Sequence, residues 1–287
     1  MAKPNIFEQI KDVEYALIEY PEYQHSLKLH RSMLKMLTSI EEPPSKITTN
    51  RWEDFVKKFS RQITLEKPII NDLDAAIFDA QIALRICQHT LSILKDHRIE
   101  QKGIHNLNEL YEALEKRELD MSQWLDAVLK GDAEWFESHG KQFKVEPAVL
   151  IFVFSKPIQP RLEEIARKIP ASALNQWWQP ICPVCARRPA LAWFKEGKRY
   201  LTCSFCGSQY LANRFLCVNC GNTDPYSLGF YTFKNFSEFQ IDFCEKCKHY
   251  IKVIYDNKLK KRIPRGLEDY LTQRLDELVI EAGLRRI

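Results

Sequence analysis

Apolar residues recur at helical spacing through the first part of the chain, and the pattern changes to short β-rich runs after about residue 180. Between Asn71 and about Asp96, Leu73, Ile77, Ala80, Leu84, Cys87, Leu91 and Leu94 step alternately by four and three, which paints one helix face. Pro68 and Asn71 supply its start signals. Cys87 lies inside that stripe and reads as a small buried hydrophobe, so it is left out of any site. Tyr23, Leu27, His30, Leu34 and Leu37 form a shorter stripe, closed by Glu41-Glu42-Pro43-Pro44-Ser45, whose prolines force extended geometry. His30 on this apolar face reads as a satisfied core histidine. Helical stretches follow at Leu107 to Leu114 and around Trp124, Leu125, Val128 and Leu129, the latter ended by Gly131, with Trp135 and Phe136 completing the same core. The segment from Pro147 to Lys168 reads as a buried helix broken at Pro157 and Pro160.

The boundary lies between Ile169 and Pro180, because glycine turns and paired cysteines replace the helical period there. Ala190 to Lys195 and Arg199 to Thr202 read as a hairpin across Glu196-Gly197-Lys198. Phe230 to Phe233 and Phe239 to Phe243 read as a second hairpin, and Tyr250 to Tyr255 as a further strand. The chain closes on an amphipathic helix with Leu267, Leu271, Leu275, Leu278 and Ala282 on one face and Gly283 after it. Docking back onto the helical half or the ribbons is the simpler fate of that face; a homodimer or partner contact is the alternative.

Composition then excludes whole classes. Nine Gly and fourteen Pro in 287 residues leave collagen-like and low-complexity readings without support. The longest apolar run, Ala148 to Phe154, is seven residues, against about 20 needed to cross a bilayer. No membrane insertion is expected, and charges near the N-terminus speak against a signal peptide, so the expected location is cytoplasmic. Before Cys182 there are 24 Lys and Arg against 27 Asp and Glu, and after it 18 against 11. The C-terminal part is therefore formally +7 and the rest −3.

The chemistry lies in four Cys-x-x-Cys pairs, Cys182/Cys185, Cys203/Cys206, Cys217/Cys220 and Cys244/Cys247, separated by 17, 10 and 23 residues. A two-residue spacer lets one tight turn aim both sulfurs at a single ion, and two such knuckles complete a tetrahedral S₄ site. The 17-residue gap fits a hairpin carrying the second knuckle, as in a zinc ribbon or rubredoxin. Pairing in sequence order then places Cys182, Cys185, Cys203 and Cys206 in one site and Cys217, Cys220, Cys244 and Cys247 in the other. Disulfides are disfavoured in reducing cytosol. Gly207 and Gly221 follow two knuckles where a positive φ is wanted, whereas Ala186 and Lys248 stand in the equivalent places, so those turns are expected to be strained or differently shaped. Four thiolates suit zinc and mononuclear iron alike. With all four positions filled by protein, no coordination position stays open for Lewis-acid hydrolysis. Phosphate-loop, zincin and nucleophile-elbow motifs are missing from the sequence, and no His or carboxylate pair nominates itself as acid or base. The chain is expected not to be an enzyme. Each M²⁺(Cys⁻)₄ centre would carry −2, which lowers +7 to +3 and weakens a nucleic-acid reading based on Arg187, Arg188, Lys195, Lys198 and Arg199 beside Trp193, Phe194 and Tyr200.

These residues also carry a family resemblance. Cys182-Pro183-Val184-Cys185 with Pro189, Arg199 through Cys203-Ser204-Phe205-Cys206-Gly207, Arg214 before Cys217-Val218-Asn219-Cys220-Gly221, Cys244 to Lys252, and the tail from Glu268-Asp269 to Gly283 together resemble the formate dehydrogenase accessory proteins. The likeness covers about Trp177 to Leu284 and departs at Ala186-Arg187 and within Ser208 to Leu211. It implies a helical region followed by two rubredoxin-like modules, with iron as one candidate metal. It further implies a cytoplasmic maturation factor that contacts the catalytic subunit of a molybdenum- or tungsten-dependent formate dehydrogenase. The expected fold class is α+β: an all-α domain over 1–179, Cys₄ ribbons over 180–212 and 213–263, and a C-terminal helix over 264–287. A zinc-ribbon nucleic-acid binder and a rubredoxin-like redox carrier are the competing readings.

Overall fold

The structure is a computed structural model, and it describes residues 2–40, 46–61, 64–97 and 107–286. Its helices are α1 (Ile6–Glu19), α2 (Gln24–Ser39), α3 (Lys46–Ser60), α4 (Ala80–Asp96), α5 (Leu107–Glu115), α6 (Met121–Lys130), α7 (Ala133–Phe143), α8 (Pro147–Ser155), α9 (Gln159–Lys168) and α10 (Ala171–Asn175). Strands follow: β1 (Leu191–Lys195), β2 (Lys198–Thr202), β3 (Gln209–Ala212), β4 (Leu228–Thr232), β5 (Phe239–Cys244) and β6 (His249–Tyr255). The chain ends in α11 (Gln273–Ile280) and the short β7 (Arg285–Arg286). A helical N-terminal region, a mixed sheet carrying the cysteines and a C-terminal helix match the α+β expectation.

Two compact units divide the chain. One comprises Gln24–Lys57 and Ile70–Arg161, the other Met1–Tyr23, Lys58–Ile69 and Leu162–Ile287. The first is all helical. Its core gathers Leu27, Trp52, Leu91, Leu110, Trp124 and Phe154, with the Trp124 and Phe154 rings stacked at 5.0 Å. Cys87 is fully buried in α4, and His30 is buried in α2. Helix α4 starts later than its stripe suggests. Asp74 accepts from the Ala76 amide, and Asp79 from those of Gln81 and Ile82, so the chain closes a short 3₁₀ turn before the long helix begins. Gly131 caps α6 in the left-handed region, as its position predicts. The break between α8 and α9 falls at Lys156 to Ile158, where Pro157 interrupts the ladder. The Glu41 to Ser45 stop signal lies outside the described residues.

In the other unit the hairpins join into one seven-stranded sheet of order β3-β2-β1-β6-β5-β4, with β7 beside β6. Lys195 pairs with Lys198 across Glu196 and Gly197, both left-handed, which is the geometry of a two-residue hairpin turn. The two hairpin systems merge because β1 and β6 pair in parallel, Leu191 opposite Lys252 through Phe194 opposite Tyr255. Alternation then assigns the faces. Ile241 and Tyr250 face α11 and pack with Leu275, Val279 and Leu284. Gln240 and Asp242 of β5 and Ile251, Val253 and Tyr255 of β6 point to the opposite face.

The closing helix therefore docks on the second hairpin system, as the simpler reading predicts. Its apolar stripe differs from the expected one: Leu267, Leu271, Leu275 and Val279 are buried while Leu278 is 45% exposed. A 3₁₀ turn at Tyr270–Thr272 precedes α11, and within α11 Val279, one turn after Leu275, takes the place against Ile241 and Tyr250. Beneath the helix lies Lys252, 1% exposed, with Nζ 2.7 Å from Asp269 Oδ1 and 2.8 Å from Asp276 Oδ2. Tyr250 donates its hydroxyl to Asp276 at 2.7 Å, and Arg286 pairs with both carboxylates. Such a charge inside a protein persists only with partners of this quality.

Candidate metal centres

Each Cys-x-x-Cys pair folds into the same knuckle. The residue after the second cysteine returns its amide to the first cysteine's carbonyl: Ala186 to Cys182 at 3.0 Å, Gly207 to Cys203 at 2.9 Å, Gly221 to Cys217 at 2.9 Å and Lys248 to Cys244 at 2.7 Å. All four of these residues are left-handed, with φ of 59°, 72°, 72° and 58°. Ala186 and Lys248 thus carry the expected strain, and their turns keep the common shape. The hydrogen-bonded ring forces that conformation regardless of the side chain, at a cost of about 1–2 kcal/mol for a residue with a Cβ.

Topology then brings the knuckles together in sequence order. Cys182, Cys185, Cys203 and Cys206 form one cluster and Cys217, Cys220, Cys244 and Cys247 another, all four sulfurs in each lying within 4.8 Å of one another. In the first, Cys182–Cys206 and Cys185–Cys203 Sγ separations are 3.5 and 3.4 Å; in the second, Cys217–Cys247 and Cys220–Cys244 are 3.6 and 3.8 Å. A disulfide needs about 2.05 Å. A tetrahedron with metal–sulfur bonds of about 2.3 Å has edges of about 3.8 Å, so the clusters fit a single ion each.

The surroundings of the clusters differ. Around the first, the Val184 and Cys185 amides face Cys182 Sγ at 3.4 and 3.5 Å, and Ser208 Oγ lies 2.9 Å from Cys182 Sγ and 3.4 Å from Cys206 Sγ. Remote segments brace its knuckles. Ile69 donates its amide to Pro183 O at 2.9 Å, and Lys3 donates its ammonium to Phe205 O at 3.0 Å and Glu163 Oε1 at 3.2 Å. The Lys3 stem lies so close over Gly207 that a Cβ there would come within 2.2 Å of Lys3 Cγ. Burial opposes the Lys3 charge, yet the Glu163 carboxylate and its neighbours hold the ammonium above its ordinary value. Around the second cluster the support is local: Asn222 Nδ2 donates to Cys244 Sγ at 3.6 Å, and His249 Nδ1 lies 3.1 Å from Asn219 Nδ2.

Proton affinities follow these environments. Burial pushes the Cys185 and Cys206 thiols well up, while hydrogen bonds from Cys182, Cys185 and Cys206 hold Cys203 well down. In the second cluster burial pushes Cys217 up to about 12. Burial acts the same way on Cys244, but the Cys247 and Lys246 amides and the Asn222 side chain outweigh it and bring that thiol to about 7.

Ser208 and Asn222 occupy equivalent places, two residues after Cys206 and Cys220. That shared polar position after Cys-x-x-Cys-Gly was the signal in the sequence for their roles. Lys3 and Lys252 had no such signal, because their partners are remote in the chain. The basic-aromatic stripe is broken up: Trp193 and Arg199 are buried, and the Arg187 guanidinium stacks 3.6 Å from the centre of the Phe205 ring.

No family model matches the sequence. The chain is 27% identical over 294 aligned positions to the FdhE homologue of Aquifex aeolicus (strain VF5), covering 99% of this chain and 95% of that one. It is 27% identical over 130 residues to the FdhE homologue of Edwardsiella ictaluri (strain 93-146), 43% of this chain and 41% of that protein. The FdhE homologue of Glaesserella parasuis serovar 5 (strain SH0165) is 33% identical over 112 residues, 37% and 35% of the two chains. Among solved structures, the crystal structure of the FdhE protein from Pseudomonas aeruginosa matches with a TM-score of 0.53 at 18% identity, covering 91% of this chain and 84% of that one. That likeness is one of fold.

Proposed function

We propose that this chain, 27% identical over nearly its full length to an FdhE homologue, is a member of that family and a cytoplasmic, non-enzymatic accessory protein of formate dehydrogenase maturation. It docks on the catalytic subunit of a molybdenum- or tungsten-dependent formate dehydrogenase and is needed for that enzyme's assembly or activity. Cys182, Cys185, Cys203 and Cys206 ligate one metal ion, and Cys217, Cys220, Cys244 and Cys247 a second, iron or zinc in each case. When bound, the ions supply a rigid cross-link between knuckles that are distant in sequence. The protein's own residues do the rest: the left-handed turns aim the sulfurs, and Ser208 and Asn222 polarise them. Among the described residues no helix is long and apolar enough to cross a membrane.

The observation that carries this reading is the 99% coverage by one relative, spanning the helical part as well as the cysteine part. A bare redox carrier would leave the all-helical unit without a task. A nucleic-acid surface is disfavoured by the burial of Arg199 and Trp193. Anaerobic affinity capture of the tagged protein from its native extract, with protein identification and metal analysis on one eluate, tests the reading. A dehydrogenase catalytic subunit with about two metals per chain is expected. Nucleic acid or transcription and translation machinery in its place would overturn it.

A further inference from the structure

On the sheet face opposite α11 there is a cavity of about 300 Å³, walled in part by Cys217 and Cys244 of the second cluster. Its lining mixes aromatic residues, Phe194, Phe230 and Tyr255 among them, with aliphatic ones such as Ile251 and Val253. Two guanidinium groups serve it. Arg199, its side chain 3% exposed, donates Nη1 to the Asn213 and Leu216 carbonyls at 3.2 and 3.0 Å and places Nη2 3.4 Å from Asp242 Oδ2. Its Nε–H has no acceptor. The other oxygen of Asp242 is taken by Gln240 at 2.6 Å, which in turn accepts from Tyr255 at 2.9 Å, so the floor offers no second acceptor from that carboxylate.

Arg214 stands exposed at the rim, 5.3 Å from the centre of the Phe194 ring, with no ion pair among the described residues. Beside it Phe215 is 53% and Phe230 64% exposed. Phe230 belongs to β4, the terminal strand of the sheet, whose outer main-chain groups face no further strand among the described residues. An unpaired buried donor, a partly aromatic hollow, a free surface cation and an uncovered strand edge meet in one place. Natural proteins rarely leave such an edge unprotected, and edge addition with a side-chain pocket is a recurrent way to hold an extended segment.

We propose that this cavity seats an extended segment of the dehydrogenase catalytic subunit, which adds alongside β4, fills the hollow with one aromatic or large aliphatic side chain and presents a neighbouring carboxylate to Arg214. Charge decides the arrangement. Asp242 already sits against Arg199 in the floor, so the carboxylate belongs at the rim with Arg214 and the Arg199 Nε–H takes a neutral acceptor such as a main-chain carbonyl. The proposal rests on the accessory reading above and gives it a docking surface.

The test uses the full chain and the purified catalytic subunit. Binding is measured for the unaltered protein, Arg214→Glu and Phe230→Ala, both substitutions lying on exposed side chains that leave the fold intact. In parallel, overlapping peptides tiling the subunit are titrated by fluorescence anisotropy. Both variants are expected to weaken binding by about tenfold or more. The strongest peptide should hold an acidic residue beside an aromatic or aliphatic one, and its acid-to-lysine version should bind Arg214→Glu better than the original does. Unchanged affinity of both variants for the subunit overturns the cavity assignment and leaves the accessory reading standing. Weakened binding without rescue by the lysine peptide overturns the carboxylate pairing. Failure of the unaltered chain to bind the subunit overturns both.

Discussion

The first cluster has all four cysteines buried, whereas the second leaves Cys220 exposed and Cys247 half-buried. The knuckles are alike in turn geometry, left-handed residue and return hydrogen bond, so the contrast comes from what surrounds them. Lys3 and Ile69, both far away in sequence, close over the first cluster, while the second is supported by its own hairpin and α11 docks on the other side of the sheet from the adjoining cavity. One motif repeated thus yields a sealed cluster and an accessible one. Long-range bracing, and not the ligand set, sets the difference.

The largest effect should come from breaking that contrast at its root. Cys182→Ser with Cys185→Ser is expected to unfold β1 to β3 and abolish formate dehydrogenase maturation, since a structural metal in such a site is worth about 10–16 kcal/mol in small domains, comparable with the whole stability of a protein. Hydrogen exchange should show loss of protection across Leu191 to Ala212, and normal dehydrogenase activity in cells carrying only this variant would contradict the accessory reading. The same change at Cys217 and Cys220 should spare those strands.

Next in size is the buried ammonium beneath α11. Lys252→Met leaves Arg286 as the cation paired with Asp269 and Asp276 among the described residues and is expected to cost about 3 kcal/mol in urea unfolding. Burial pushes the Asp269 carboxyl up, but Lys252 and Arg286 outweigh it and hold it below the ordinary carboxylate range. Its contribution to stability is therefore complete above the unfolded value of about 3.9 and is lost as pH falls through the lower folded value. The variant should lose less stability than the unaltered protein over that acid window; equal acid sensitivity would place the relevant carboxylate elsewhere.

Lys3→Met removes the cation bracing the Phe205 carbonyl and leaves Glu163 with Gln9. Metal release to a chromogenic chelator should then accelerate from the first cluster toward the rate of the second. In the unaltered protein the second should release metal about tenfold faster, the size expected when a local opening is about 1.4 kcal/mol easier. Equal release from the two would remove the contrast. The smallest effect is local: Ala186→Gly should stabilise the first knuckle by about 0.5–1 kcal/mol by relieving a left-handed alanine. Thermal unfolding of the metal-loaded protein reads it.

Much of this molecule was legible along the chain. The two hairpins, the Gly131 cap and the break at Pro157 rest on contacts a few residues apart, where turn chemistry and periodicity operate directly, and the pairing of knuckles in sequence order rests on the hairpin that links each pair. Other features were not. The expected face of the last helix included Leu278 in place of Val279, because both lie within one turn of Leu275 and only packing against β5 and β6 selects between them. Strand β3, Gln209–Ala212, carries no clear alternation because three of its four residues are buried.

What the sequence by itself determined is therefore the set of eight sulfurs, their grouping in fours and the local turns that aim them, since each depends on residue type and spacing within one knuckle or hairpin. Only the tertiary structure decided that the hairpins merge through the parallel β1 and β6 pair, that Lys252 is buried between two acids, and that one cluster is sealed while the other remains open. Those outcomes depend on which distant segment covers which face. Burial and charge pairing act through space, and spacing along the chain does not encode the partner.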